Sequence, residues 1–242
     1  MLSNLPLCDE MICVDNGSTD GTVDVLERLE KAHDKIKFIN RPDIVHLYEN
    51  RQVAFEHSRY SWVVRGDSDF IAWNSGHRDI RNLRKTVLDT DFAVPPIGFE
   101  LVAQYVLGDW TKTKQQTVSV GRRIYQRVEG MAFDRLGRWE GVRVDGMDPH
   151  TDWERVKLNT PYWMHASIQD AKTMFLRLYR TGWREQGDFD VFPTCESWAR
   201  HKRPEMFEGD EIQRWRDRLV SALKPYTGEY PDHVQAILKP TI

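Results

Sequence analysis

Short apolar runs alternate with helix-period segments through the first third of the chain. Residues 10–14 (EMICV) form an apolar run that ends in the turn-rich stretch DNGSTDGT. Val23, Leu26 and Leu29 then recur at helical spacing among Asp24, Glu27, Arg28 and Lys31. That pattern predicts an amphipathic helix with Thr19 or Asp20 at its N-cap. Residues 36–39 (IKFI) read as the next strand and residues 51–58 as a helix. Residues 61–64 (SWVV) read as a buried strand that ends at Arg65-Gly66-Asp67-Ser68-Asp69. Strand–helix–strand order of this kind favours an α/β fold with a mostly parallel sheet, in which ligands bind at the carboxyl ends of the strands. Asp15, Asp67 and Asp69 all fall at that edge.

The middle of the chain is less regular. Residues 91–96 contain a Pro pair, and residues 118–146 read as strands and turns, with RRIY, MAFDRLGRW and GVRV among them. Residues 168–186 predict an amphipathic helix with Ile168, Ala171, Met174, Phe175, Leu178 and Tyr179 on one face. A second helix is expected over 210–223, with Ile212, Trp215, Leu219 and Leu223 on one side and Pro225 ending it. Residues 188–204 (DFDVFPTCESWARHKRP) carry no assignable period.

Composition narrows the function classes. Hydrophobic residues make up 40% and charged residues 29% of 242, enough for a packed core and too apolar for a disordered chain. The net charge of −3 gives no general electrostatic reason to expect a polyanion partner. Three cysteines, Cys8, Cys13 and Cys195, without a CxxC spacing argue against a disulfide framework and a zinc site. With no apolar stretch of membrane-spanning length and no signal-peptide pattern, the expectation is a cytoplasmic protein. Nine Trp serve core packing as readily as sugar stacking, and composition does not separate the two.

Two motifs carry chemistry. Asp15-Asn16-Gly17-Ser18-Thr19-Asp20-Gly21-Thr22 follows an apolar strand, and turn formers alone account for its composition. It does not read as a calcium loop, because Leu26 stands where the bidentate Glu is required. Asp67-Ser68-Asp69 places two carboxylates two residues apart at a strand end, a spacing that suits one divalent cation and the diphosphate it bridges. The bland alternative is a pair of surface carboxylates.

Together, ICVDNGSTDGT (residues 12–22) and WVVRGDSDF (residues 62–70) resemble the family 2 glycosyltransferases, whose fold is GT-A. IKFINRP and ENRQVAFEHS resemble the family's second strand and its asparagine–arginine helix. More loosely, GRRIY and GRWEG, followed by Met164-His165 before a helix, resemble the family's second half. Trp139 stands in place of the family's His, beside Glu140. The resemblance implies a GT-A-like mixed sheet flanked by helices, with a helical C-terminal extension. Residues 1–166 would form the catalytic domain, and residues 167–242 a helical region packed on it.

The resemblance also implies roles. Asp15 and Asn16 would recognise the nucleotide, Asp67 the ribose or metal, and Asp69 and His165 a Mn2+ or Mg2+ ion. Arg123, or else Arg122, would face the diphosphate, since neighbours in a strand point to opposite faces. Glu140 would be the general base that takes the proton of the acceptor hydroxyl. The implied reaction is inverting transfer from a nucleotide diphosphate-sugar to an acceptor: a glycan, protein, small molecule or nucleobase. For each residue a structural role is the alternative: a turn cap for Asp15, a buried hydrogen-bonded ring for His165, a salt-bridged strand residue for Glu140.

One departure stands out. The family begins with a strand and a P-x-Y-N-like loop, whereas MLSNLPLCDE resembles the end of the helix that follows them. An open gap in the sheet would expose unpaired backbone groups. A rearranged sheet, another segment or chain in that place, or a different start would resolve it. A non-catalytic binding or assembly module and a transferase acting on nucleic acid are the competing readings. A nucleotidyltransferase is disfavoured, because no Gly-rich basic loop is found near the start.

Overall fold

The computed structural model describes residues 1–43, 46–90, 98–136, 139–147 and 155–238, except for the side chains of Leu136, Trp139, Glu140, Arg155, Glu185 and Gln186. The Pro pair at 95–96 lies outside the described residues. The chain opens with a 3₁₀ turn, Leu2–Asn4, where the helix end expected from MLSNLPLCDE is reduced to a single turn. Then follow β1 (Met11–Asp15), α1 (Thr22–Ala32), β2 (Ile36–Asn40), α2 (Leu47–His57), β3 (Trp62–Val64), β4 (Phe70–Ala72) and α3 (Ile80–Asp89). Strands dominate the middle: β5 (Gly98–Leu107), β6 (Lys112–Thr113), β7 (Thr117–Gln126), β8 (Met131–Leu136), β9 (Trp139–Val144) and β10 (Arg155–Ser167). The remainder comprises α4 (Ala171–Gln186), α5 (Cys195–Lys202), α6 (Glu211–Ser221), β11 (Lys224–Pro225) and α7 (Asp232–Leu238).

The fold is mixed α/β and GT-A-like. β1 and β2 form a parallel pair in which Met11 lies opposite Ile36 and Asp15 opposite Asn40. A separate five-stranded sheet has the order β3-β7-β5-β10-β4, with β3 and β7 antiparallel. β8 and β9 make an antiparallel hairpin, and β6 pairs with β11. The chain divides into two compact units: residues 1–103, 117–164 and 230–242, and residues 104–116 and 165–229.

The first unit is built on the larger core. Ile80, Leu83 and Val87 recur at helical spacing on α3 and are buried against Phe99, Leu101, Ile124 and Trp163. Asp79 starts α3 by accepting the Arg81 N–H at 2.9 Å. A second cluster joins Phe55 of α2 to Phe133 of β8, edge to face at 5.9 Å, together with Tyr125 and Val142. The N-terminal turn is stitched to this unit by polar side chains. Asn4 donates to the Phe70 carbonyl at 3.0 Å and accepts from the Trp163 indole at 2.6 Å, while Ser3 Oγ accepts the Ala72 N–H.

In the second unit, Phe175 of α4 packs with Ala199 of α5 and Met206, and with half-buried Leu176, Tyr179, Ile212 and Trp215. Two sequence expectations shift here. The first helix starts at Ala171 rather than 168, because Asp170 caps it by accepting the Thr173 N–H at 2.9 Å. Leu178 faces outward, 64% exposed, because the packed face turns toward Leu176 and Tyr179. The unassigned stretch 188–204 contains α5, capped by Thr194, whose hydroxyl accepts the Ser197 N–H at 3.0 Å.

Gly98 makes room for Arg122. A Cβ there would stand 2.2 Å from Arg122 Cδ and 2.6 Å from Cγ, and these are mid-chain atoms of a side chain only 5% exposed. Gly98→Ala is therefore expected to destabilise the first unit by about 1–3 kcal/mol, as overpacking does. Denaturant unfolding checks this. A variant as stable as the parent would mean that Arg122 relocates freely.

Candidate functional site

The carboxyl ends of β1 and β3 open into one cavity of about 650 Å³ within the first unit, lined by Asp15, Ser18, Arg51, Arg65, Asp67, Ser68 and Arg123 at its polar end. The turn after β1 is organised by Asp15 itself. Its Oδ1 accepts the Gly17 N–H at 3.0 Å and the Ser18 N–H at 2.8 Å, and its Oδ2 accepts the Ser18 hydroxyl. Gly17 (φ 95°) and Gly21 (φ 83°) occupy the left-handed region, which explains glycine at both places. Gly21 is thus the N-cap residue of α1, in place of the expected Thr19 or Asp20. Asp20 instead accepts from the backbone and hydroxyl of Thr22. Asp15 is only 7% exposed, so the turn-capping role is fulfilled while the residue still lines the cavity. Asn16, next in the turn, is half-buried.

The second motif is organised by arginines. Asp67 Oδ1 accepts from Arg51 Nη2 at 2.8 Å, and Oδ2 accepts from Arg123 Nη1 at 2.5 Å. Arg51 comes from α2, one turn into the helix whose start is held by Glu49 accepting the His46 N–H. Arg123 comes from β7. Its Nε donates to the Val120 carbonyl at 3.0 Å and its guanidinium lies 4.5 Å from the centroid of the Phe70 ring. A third arginine, Arg65, follows β3 and donates its backbone N–H to the Arg123 carbonyl at 2.7 Å. Burial, and then the neighbouring Arg123 and Arg51, push the Arg65 guanidinium down to about 10. Burial acts to raise the Asp67 carboxyl, but Arg123, Arg51 and Arg65 outweigh it and hold the group below the usual carboxylate range. Three guanidinium groups around one carboxylate leave a local surplus of positive charge.

The remaining expected site residues are placed as follows. Asp69 is half-buried on the turn that the Phe70 N–H closes to the Asp67 carbonyl, and it does not line the cavity. His165 lies on β10 in the second unit, its ring 5.1 Å from that of Tyr105. The Glu140 backbone pairs with Arg135 in the β8–β9 hairpin. Its side chain, that of Trp139, and all of Gly137 and Arg138 lie outside the described residues. Arg122 and Arg123 diverge as strand neighbours do, Arg123 to Asp67 and Arg122 under Gly98. Arg51 was visible in the sequence only as part of an arginine-bearing helix. Its pairing with Asp67, 16 residues away, carries no local signal.

A divalent metal at Asp67-Ser68-Asp69 does not fit the side chains as they stand. Both Asp67 oxygens are engaged by arginines, and among the described residues no group of three or more His, Cys, Asp or Glu side chains is arranged to hold a metal ion. The site as built favours an anion.

Comparison with known proteins bears on the same segment. The model of the family described as Glycosyl transferase family 2 matches residues 2–74. That span holds Asp15, Asn16, Arg51, Asp67 and Asp69, whereas Arg123, Glu140 and His165 lie beyond it. No curated protein matches the chain.

Asp67→Asn removes the charge that offsets the three arginines. A loss of about 2–4 kcal/mol of stability at neutral pH is expected for a partly buried charge-assisted network. The folded carboxyl titrates below its unfolded value of about 4, so its contribution is complete above that value and is lost as pH falls through the folded one. The gap between the parent and the variant should accordingly stay constant from neutral pH down to about pH 5 and close in more acidic solution. Urea unfolding as a function of pH measures it. A gap that is absent at neutral pH would mean that the ion pairs contribute nothing net.

Proposed function

We propose, from the membership of residues 2–74 in glycosyl transferase family 2, that this chain transfers a sugar from a nucleotide diphosphate-sugar to an acceptor hydroxyl. The observation that carries this reading beyond the family is the Arg51–Asp67–Arg123 cluster, with Arg65 beside it, opening into the same cavity as the Asp15 turn. A nucleotide diphosphate-sugar brings a dianionic diphosphate, and planar guanidinium groups suit its oxygens. Arg51 and Arg123 would exchange the Asp67 carboxylate for phosphate oxygens, and Arg65 would add the third positive charge as the diphosphate departs. Asp15, fixed by Gly17 and Ser18, presents a rigid carboxylate edge to the nucleoside.

The remaining parts of the reading rest on the family resemblance. Inversion requires a base on the acceptor side, for which Glu140 is the candidate. By the resemblance Asp69 would be a ligand of a divalent cation, Mn2+ or Mg2+, and His165, which belongs to the second unit, is not assigned to that site. No step is derived through that cation, since Asp67 is engaged by arginines. The acceptor is unassigned among glycan, protein, small molecule and nucleobase, and the expected compartment is the cytoplasm. The described helices include none long and apolar enough to cross a membrane. A second reading, a donor-binding module without turnover, is favoured by one observation: the first Asp of the DxD pair is already occupied.

Titration calorimetry with UDP, GDP and their sugar conjugates, each with and without Mn2+, tests the proposal. A nucleotide diphosphate should bind, and Arg51→Ala should weaken it by roughly tenfold or more, the loss of one charge-assisted contact. Mn2+ alone should give no heat that Asp69→Ala removes. Failure of every nucleotide to bind the folded chain would overturn the reading. Binding without release of nucleotide in the presence of sugar donor and an acceptor panel would leave the donor-binding module.

A further inference from the structure

The arginine end of the cavity is unbalanced in charge, and its one anion is its least enclosed member. Asp67 divides its two oxygens between Arg51 at 2.8 Å and Arg123 at 2.5 Å. Arg65 lines the same cavity, and its Nε is buried with no hydrogen-bond partner among the described residues. The other carboxylates on the cavity wall are engaged elsewhere: Asp15 by the Gly17 and Ser18 turn, Glu10 by Arg59 and Asp9 by Arg84. Arg51, Asp67 and Arg123 alone would tie α2 to β7. A third guanidinium group adds repulsion to that tie, and only a further anion turns it into attraction.

The carboxylate is also the member that can leave. The Asp67 side chain is 30% exposed, against 11% for Arg51 and 10% for Arg123. It stands between exposed Gly66 and Ser68, and a Cβ on Gly66 would meet open space. Arg123 is held from behind by the Val120 carbonyl and the Phe70 ring, and Arg51 by its place on α2.

We propose that Asp67 is a resident counter-anion rather than a metal ligand: it occupies the arginine cluster until a diphosphate displaces it, and the diphosphate binds there without a divalent cation. The inference rests on the proposed donor site for its place in the cavity and goes beyond it in naming what the ligand displaces. A guanidinium fork pairs with carboxylate and phosphate oxygens in the same way, so one anion replaces the other with little movement of the arginines. A diphosphate brings more negative charge than one carboxylate and so engages Arg65 as well. A divalent cation would instead meet three guanidinium groups of its own sign. The exchange has a cost, because a ligand must first break two charge-assisted hydrogen bonds, and apparent affinity falls by the fraction of sites still closed. Removing the carboxylate therefore tightens the site, the opposite of what loss of a metal ligand does.

Calorimetric titration of inorganic pyrophosphate into the intact chain tests this, in metal-free buffer and again with Mn2+. The parent should bind in metal-free buffer. Arg65→Met, which leaves both Asp67 ion pairs in place, should weaken that binding by about tenfold. Asp67→Asn should bind pyrophosphate about tenfold or more tightly than the parent, because nothing has to be displaced. Bound pyrophosphate should also narrow the urea-stability gap between parent and variant, since it stabilises the variant more. Equal or weaker binding by Asp67→Asn would overturn the inference, and so would binding to the parent that appears only with Mn2+. Should Asp67→Asn fail to fold, the parent and Arg65→Met still decide: binding in metal-free buffer that Arg65→Met leaves unchanged would overturn it. The probe carries no nucleoside or sugar, so a failure here is distinct from failure of the donor reading, which the nucleotide titrations decide.

Discussion

The Asp67 carboxylate joins three elements that no backbone ladder connects in common. α2 contributes Arg51, the turn after β3 contributes Asp67, and β7 contributes Arg123, so one side chain ties helix to sheet at the cavity, while Arg127 holds the carbonyls of Phe55 and Ser58 at the other end of α2. The geometry is costly to dismantle piecemeal. Removing the carboxylate leaves three guanidinium groups facing one another with little water, whereas removing one arginine leaves a carboxylate still paired with another. The surplus positive charge that remains with Asp67 present is the electrostatic reason to place an anion there, and burial, with Arg123 and Arg51 beside it, lowers the Arg65 guanidinium.

How much of this was legible depended on range. The turn after β1 could be read directly, because Asp, Gly and Ser at fixed offsets have only a few backbone solutions, and Asp15 adopts one of them. α1 and α6 were legible from the helical period, which turns Val23, Leu26 and Leu29 of one and Ile212, Trp215 and Leu219 of the other at least half out of solvent, whereas α3, with the same period in buried Ile80, Leu83 and Val87, was not assigned. α5 escaped notice, because its eight residues are too few to show a period and its stability comes from the Thr194 cap and from Ala199 and Met206 packed on Phe175. The N-cap of α1 moved to Gly21 because the chain needs a left-handed residue there, a demand that composition shows but does not locate.

The candidate site divides the same way. Asp15 and Asp67 were found because they follow apolar strands, and both reach the cavity. Asp69 was paired with Asp67 by spacing alone, yet residues two apart across a turn need not point together, and only Asp67 lines the cavity. The arginines answer to contacts 16 and 56 residues apart in sequence. One sequence offers no means of reading these, because a basic residue on a helix or strand looks the same whether it faces solvent or a carboxylate. Arg122 and Arg123 do diverge, and only Arg123 of the two lines the cavity, as the pleat of a strand requires.

Asp15 ends β1 and Asp67 follows β3, and these strands share no ladder among the described residues, so the separation of the two carboxylates is set by weaker means. Arg59 clasps Glu10 before β1 with 3.0 Å between Nε and Oε2, Arg84 of α3 holds Asp9 at 2.9 Å and the Leu7 carbonyl at 2.8 Å, and α2 packs against β1. Each ion pair has one exposed partner, Arg59 in the first and Asp9 in the second, and solvent-accessible pairs of this kind contribute about 0–1 kcal/mol each. Backbone hydrogen bonds in a continuous sheet would instead fix the spacing to one register at about 4.7–4.9 Å per strand. The two ends of the cavity are therefore coupled through β1 and β3. Whatever occupies the space between these strands also decides how far the Asp15 turn stands from the arginine cluster, and a nucleoside and its diphosphate can be held together only at a fixed distance. If the chain binds a nucleotide diphosphate-sugar as proposed, affinity for it would depend on the order of the β1 and β3 edges as well as on the charges at their ends.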